Sequence, residues 1–197
     1  MIRILTLLLL LFFPAVVSAE PVVIQAVGDI MLAGSGEKIY QKNGYNYPFD
    51  ATRKTLQQGD MVIGNLESPI TYSGVEFRDK KFRFKTDPKA ALALRNAGFT
   101  HLSLANNHIL DYGEDGLRQT LAALDTNSII YSGAGMNLAS ARKAKIVALH
   151  GVKVAFLSYS LTHPDEFFAG AGAAGTAPGY SRHFTADIKQ AKKNADC

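Results

Sequence analysis

Cysteine is nearly missing from this chain of 197 residues. Cys197, the last residue, is the only one, so the chain carries no internal disulfide and no thiolate cluster for a structural zinc. Proline is scarce, at 7 residues beside 17 glycines, and 47% hydrophobic with 19% charged residues excludes collagen-like, coiled-coil and disordered chains. No excess of one charge is present either. Lys and Arg number 21 against 17 Asp and Glu, a balance of +4 that is too mild to argue for nucleic acid. The apolar stretch at the start, Ile4 to Val17, falls short of the roughly 20 residues that a membrane span requires.

That stretch reads instead as a leader. Met1 to Arg3 form a short positive segment, Ile4 to Phe13 are apolar apart from Thr6, and Val17-Ser18-Ala19 suits cleavage before Glu20. The expectation is a signal peptide over 1–19 and a single domain over 20–197, exported to the periplasm, the extracellular space or the cell envelope. Membrane anchoring is expected only where the leader stays uncleaved. No cysteine lies near Ala19, which argues against a lipid anchor.

Beyond the leader, short apolar runs alternate with helical stretches. Val22–Val27, Met61–Gly64, His101–Ala105, Ser128–Tyr131, Ile146–Leu149 and Val152–Tyr159 read as strands. Phe49–Gln57, Lys89–Asn96, Glu114–Asp125, Asn137–Ala144 and Thr185–Asp196 read as helices, the second opened by Asp87-Pro88 and stopped by Gly98. This alternation predicts an α/β fold with a mainly parallel sheet. Gly170–Gly179 reads as a small, flexible loop, either a surface excursion or a lid. A strand is due after the final helix, which favours a fragment of a larger fold.

Three of the strands run into carboxylate or amide: Gly28-Asp29, Asn65-Leu66-Glu67 and Asn106-Asn107-His108, with Asp111 one turn later. Ligands of open parallel sheets bind outside the carboxyl ends of the strands, so Asp29, Glu67, Asn107 and His108 are expected on one rim. Oxygens plus one imidazole suit Mn, Mg, Fe or Zn. Each residue also has a plainer role. Asp29 could turn the chain, Glu67 could be a solvated strand end, and Asn106-Asn107 with His108 could be an ordinary capped turn. Gly133-Ala134-Gly135 could cradle a phosphate, but a tight turn with Asn137 as helix cap fits it better. Arg78, Lys80, Lys81, Arg83 and Lys85 form a basic stretch. Its segment Lys81-Phe82-Arg83-Phe84-Lys85 alternates like a strand with one apolar face, and its basic side reads either as a solvated face or as a patch for an acidic polymer. His101, His150, His163 and His183 are read as structural.

Gly28-Asp29-Ile30-Met31, Asn65-Leu66-Glu67-Ser68-Pro69, Ala105-Asn106-Asn107-His108 with Asp111 and Gly113, and Gly133-Ala134-Gly135-Met136-Asn137 together resemble the bacterial capsule-synthesis CapA family, linked to poly-gamma-glutamate, within the calcineurin-like metallophosphatase superfamily. The resemblance implies an α/β/β/α sandwich of which the N-terminal half to two-thirds is present. It implies divalent Mn, Fe or Zn held by Asp29, Glu67 and Asn107, with His108 as the catalytic group and Asn65 toward substrate; Arg83 of the basic stretch is expected toward substrate as part of a patch for an acidic polymer. The implied partners are an anionic capsule polymer or another envelope substrate and membrane capsule-synthesis proteins. Three departures stand out. Met31 occupies a place where the wider phosphatase pattern has a histidine, Glu67 stands where that pattern has an aspartate, and the histidine-bearing motifs that complete the site are absent. A metal-dependent hydrolase and a non-catalytic polymer-binding or assembly protein both remain open on these residues. A serine hydrolase of the SGNH type does not, because Ile30 stands where its nucleophilic serine must follow the Asp.

Overall fold

The computed structural model describes residues 20–197, so the leader expected over 1–19 lies outside the described residues. In chain order the elements are β1 (Ile24–Ile30), α1 (Glu37–Asn43), α2 (Arg53–Leu56), β2 (Met61–Leu66), α3 (Lys89–Ala97), β3 (His101–Ser103), α4 (Gly113–Thr126), β4 (Ile130–Ser132), β5 (Ala134–Gly135), α5 (Leu138–Ala141), β6 (Lys145–Leu149), β7 (Val152–Phe156), β8 (Gly175–Thr176) and α6 (Ser181–Ala191). Strands β1 to β4 make one sheet in the order β1-β2-β3-β4, and every pairing in it is parallel. The parallel α/β architecture expected from the alternation is present and is consistent with a metallophosphatase-like fold.

One face of the sheet carries the core. Val62 and Leu66 of β2 and Leu102 of β3 pack with Leu94 of α3 and with Leu117 and Leu124 of α4, all fully or almost fully buried. Gly64 sits among them because a Cβ there would lie 2.6 Å from Ile30 Cδ1 and 3.0 Å from Val27 Cγ2. Asp87 opens α3 by accepting the Lys89 N–H at 2.8 Å, and Gly98 closes it in the left-handed region at φ +112°. Asn137 caps α5 through a reciprocal pair of bonds with Ser140, so Gly133–Asn137 is the turn and cap that the sequence favoured.

Alternation along β3 turns His101 to the other face, where the antiparallel β6–β7 hairpin meets the sheet. The Phe156 ring stands 4.6 Å from the His101 ring, and His101 Nε2 bonds Ser132 Oγ at 2.8 Å. Toward β1 that cover ends, leaving Val23, Ile24 and Val27 exposed by 44%, 39% and 42%. The residues after α6 lie along β7, with Ala155 N–H donating to Cys197 O and Asp196 N–H to Lys153 O, both at 2.8 Å. Arg142 on the α5 side holds α6 by two bonds of 2.8 and 2.9 Å to Asp187. Among the described residues no helix is long and apolar enough to cross a membrane.

Several expectations need correction. Lys81–Lys85 is not a strand. Residues 71–85 form no regular element, and the isolated bridge Ile70 to Thr86 closes them into a loop. The alternating phenylalanines are used by tertiary contacts: Phe77 packs edge-on to Phe167 at 5.0 Å, and Phe84 lies 4.9 Å from the His108 ring. The helix expected over Phe49–Gln57 is a 3-10 turn at Tyr47–Phe49 followed by the single turn of α2. The histidines left without partners have them, His150 at 3.0 Å from Asp60 and His163 at 3.1 Å from Asp165.

The 71–85 loop is fastened by Asp111, a carboxylate with no exposed side-chain surface. It accepts from Lys80 Nζ, from the Phe84 N–H at 2.8 Å and from His108 Nδ1 at 2.8 Å, while its own carbonyl accepts the Phe77 N–H at 2.9 Å. Arg83 adds a second tie, donating to Glu76 at 3.0 Å and to the Lys80 carbonyl.

Two predictions follow from these buried groups. Asp111→Ala removes the charge that Lys80 and His108 face and is expected to cost about 3–5 kcal/mol of stability. Trypsin should then cut within Lys80–Lys85 far faster; denaturation and proteolysis matching the wild type would sink this account. Burial, helped by the Lys145 charge, pushes the His101 pKa from 6.5 down to about 4. The unfolded chain therefore takes up a proton that the folded chain refuses, and stability present above about pH 6.5 is lost as the pH falls toward 4. Between pH 7 and 4 the wild type should lose about 3 kcal/mol more than His101→Leu in denaturant titrations. Parallel losses would show that His101 is not the titrating group.

Candidate functional site

Strand β1 does not run in simple register with β2. Ala26 pairs with Ile63 but Asp29 pairs with Asn65, so β1 spends one residue more than its partner over that interval. Such a bulge re-aims the side chains beyond it. It brings Asp29 alongside Asn65, whose side-chain amide donates to Asp29 Oδ1 at 2.8 Å and to Glu67 Oε1 at 3.1 Å. Two carboxylates are thus joined by one amide nitrogen.

The amide is itself held. Asn65 Oδ1 accepts from Asn106 Nδ2 at 3.0 Å, and the same Nδ2 donates to the Leu66 carbonyl at 2.8 Å. Asn106 Oδ1 accepts the backbone N–H groups of His108 and Ile109, both at 3.0 Å. With only 4% exposure, Asn106 locks the end of β3 to the end of β2. Sequence reasoning singled out its neighbour Asn107 and left Asn106 in an ordinary turn. The available signal was strand alternation, which points adjacent side chains to opposite sides and so offers one of the two asparagines to the interior. Asn107 is half-buried, its carbonyl accepts from Lys80 Nζ, and its side-chain amide makes no hydrogen bond among the described residues.

His108 is oriented from behind. Asp111 Oδ2 accepts from Nδ1–H at 2.8 Å, a tautomer that leaves the Nε2 lone pair for a ligand, and Lys80 Nζ stands 3.1 Å from the same Nδ1. The Phe84 ring limits rotation of the imidazole. Glu67 belongs to the same neighbourhood. Burial raises its carboxyl above the ordinary glutamate range and the Asp29 charge adds to this, while His108, the Asn65 amide and Lys80 pull it back. Arg83 sits beside this group, but its guanidinium is occupied by Glu76, which also accepts from Tyr112 at 2.8 Å. The Tyr112 bond and then the Arg83 bond hold Glu76 below its usual range, while burial and then the bond to Glu76 push the Tyr112 hydroxyl up to about 12.

Asp29, Asn65, Glu67 and Asn106 therefore form one connected rim. His108 and Lys80 border it at Glu67, and Arg83 reaches it only through the Lys80 carbonyl. Asp29 and Glu67 offer hard oxygen donors of the kind that a divalent cation takes, and an amide N–H₂ placed between two carboxylates is a weak substitute for positive charge. The set fits part of one ion's shell. Among the described residues no group of three His, Cys, Asp or Glu side chains gathers to hold a metal, and Met31 adds no donor of that kind.

Residues 23–197 match the family described as bacterial capsule synthesis protein PGA_cap. The PGA biosynthesis protein CapA of Bacillus subtilis is 32% identical over 172 residues, covering 86% of this chain and 45% of that protein. The capsule biosynthesis protein CapA of Bacillus anthracis is 33% identical over 163 residues, covering 81% of this chain and 39% of its own length. A probable polyglutamine synthesis accessory protein of Mycobacterium tuberculosis is 44% identical over 95 residues, covering 46% and 24% respectively. This chain spans less than half the length of these relatives. The match over almost every described residue shows that the chain belongs to the bacterial capsule synthesis family PGA_cap.

Proposed function

We propose that this chain serves the synthesis or export of an anionic envelope polymer of the poly-gamma-glutamate type, and that its rim is the working end of a metal-supported hydrolase. The observation that carries the reading is the pair Asp29 and Glu67 on one amide, bordered by an imidazole whose Nδ1 is already committed to a buried carboxylate. The relatives named for PGA and capsule biosynthesis support a role in polymer synthesis, and the leader pattern over 1–19 supports placing the chain itself in the envelope.

Asp29, Glu67 and Asn107 would hold a divalent cation, Mn, Fe or Zn. When bound, such an ion supplies Lewis-acid polarisation of the scissile group. The chain's own residues do the rest. Asp111 fixes the His108 ring so that Nε2 can take or return a proton at the reacting atom. Asn65 orients both carboxylates, and Asn106 prevents Asn65 from turning away. The cations of the 71–85 loop, Lys81, Arg83 and Lys85, draw an acidic polymer toward the rim.

A second reading, a polymer-binding assembly protein that cleaves nothing, is favoured by Met31, which stands where the wider phosphatase pattern has a histidine. Calorimetric titration with Mn separates the two. The hydrolase reading expects binding that Asp29→Ala weakens at least tenfold, with Glu67→Gln behaving alike. Unchanged Mn uptake in both variants would rule out the rim as a metal site. For the polymer, Lys81→Ala combined with Lys85→Ala should weaken binding of poly-gamma-glutamate severalfold at low salt and much less at high salt. A salt-independent affinity would remove the electrostatic role given to the loop.

A further inference from the structure

Parallel pairing sets side chains in rows across the sheet. Ala26, Ile63 and His101 are in register, as are Asp29, Asn65 and Ser103, and both rows stand on the face that meets the β6–β7 hairpin. Between these rows and Phe156-Leu157-Ser158, at the end of β7, lies a cavity of about 240 Å³. Its mouth is at Ala26 and Val27, both exposed, where the hairpin cover ends. Its inner end is His101, two strands away.

That inner end holds an unanswered group. His101 is 3% exposed, and its buried Nδ1 makes no hydrogen bond among the described residues, a costly state for a polar atom shut away from water. The other ring nitrogen starts a chain. Nε2 bonds Ser132 Oγ at 2.8 Å, and Ser132 Oγ bonds Ser158 Oγ at 2.7 Å. A neutral imidazole carries its proton on one nitrogen, so the chain has two proton orders. With the proton on Nε2, the bonds run outward, Ser158 keeps a free O–H and Nδ1 is an acceptor. With the proton on Nδ1, the bonds run inward, Nδ1–H is the donor and Ser158 the acceptor. Either order leaves one donor and one acceptor at opposite ends, and both end residues line the cavity. Ser103 adds a third group, since its Oγ accepts the Ala105 N–H at 3.4 Å and its own proton has no acceptor among the described residues.

Charge is unwelcome at both ends. Asn65 brings the Asp29 and Glu67 carboxylates to the rim side, where they repel an anion. Burial, and then the Lys145 charge, keep the His101 ring neutral, and that same ammonium repels a cation. The apolar walls at Val27, Ile63 and Phe156 would leave either charge without water. We propose that this cavity binds a small uncharged amide, whose N–H and C=O meet the two ends of the His101–Ser132–Ser158 chain and whose alkyl part packs on Ile63 and Phe156. An amide carries donor and acceptor on separate atoms, as the chain does, whereas a hydroxyl places both on one oxygen. A single bridging water would fill a small part of the space and leave the apolar walls wet. Nothing in this site depends on a metal at the rim.

The test titrates propionamide, propionate, propylammonium and propanol, four probes of one size, into the purified chain and follows the ring-nitrogen NMR shifts of His101. Propionamide should move the Nδ1 signal saturably, as a hydrogen bond forms there. The two charged probes should bind at least about tenfold more weakly, and propanol more weakly as well. Ala26→Phe, at an exposed position in the His101 row, should close the mouth and abolish the response without changing thermal unfolding. Ser103→Ala, inside the cavity, should weaken propionamide severalfold and provides a second variant if the first fails to fold. An Nδ1 signal that no probe moves identifies a resident water and overturns the proposal. Propionate or propylammonium binding as tightly as propionamide, or a propionamide response that survives both substitutions, overturns it too.

Discussion

A carboxylate buried without any contact with water must be met by donors, and at Asp111 this requirement arranges most of what surrounds it. The donors come from two places far apart in sequence: Lys80 and Phe84 of an irregular loop, and His108 of the β3 turn. One demand for charge compensation therefore folds the loop against the sheet and turns the imidazole. The 71–85 segment has no helical or strand hydrogen bonding to hold its shape, and its order depends on Asp111, on the Arg83–Glu76–Tyr112 chain and on phenylalanine packing.

Much of the fold could be read from the chain because its elements are punctuated locally. Asp87-Pro88 and Gly98 bracket α3, and the apolar runs entering β2 and β3 end in polar residues that a buried strand would not tolerate. Asp29, Asn65 and Glu67 were legible for the same reason. The loop was misread because Lys81-Phe82-Arg83-Phe84-Lys85 has the period of a strand, and period alone carries no information about a carboxylate at position 111. Lys80 was folded into a charge run for that reason, although its ammonium is nearly buried against Asn107, His108 and Asp111. β5 and β8, two residues each, are too short to leave a pattern, and α1 has Gly36 at its N-cap, with no side-chain cap to announce it.

Asn106 shows a different limit. It and Asn107 are chemically identical neighbours, and only the crossing of β2 and β3 distinguishes them: Asn106 spends its amide on Asn65 and on the backbone, while the Asn107 amide stays out of that network. A side chain with all its hydrogen-bonding capacity engaged serves as a brace, and one with capacity to spare can take a ligand.

The bulge in β1 carries one more implication, about lengths rather than identities. Between Ala26 and Asp29 the strand holds one residue more than β2 needs, and the bulge absorbs that surplus so that Asp29 meets Asn65. Loss of a single codon there would straighten the strand and still leave Asp29 opposite Asn65, whereas one codon gained there, with no second bulge to absorb it, would slip the strand by one residue and turn Asp29 inward and Ile30 outward. Point substitutions at Val27 or Gly28 probe side chains and leave this counting intact. An added residue is the change of spacing to which this rim is most exposed, while a lost one is absorbed by the bulge itself.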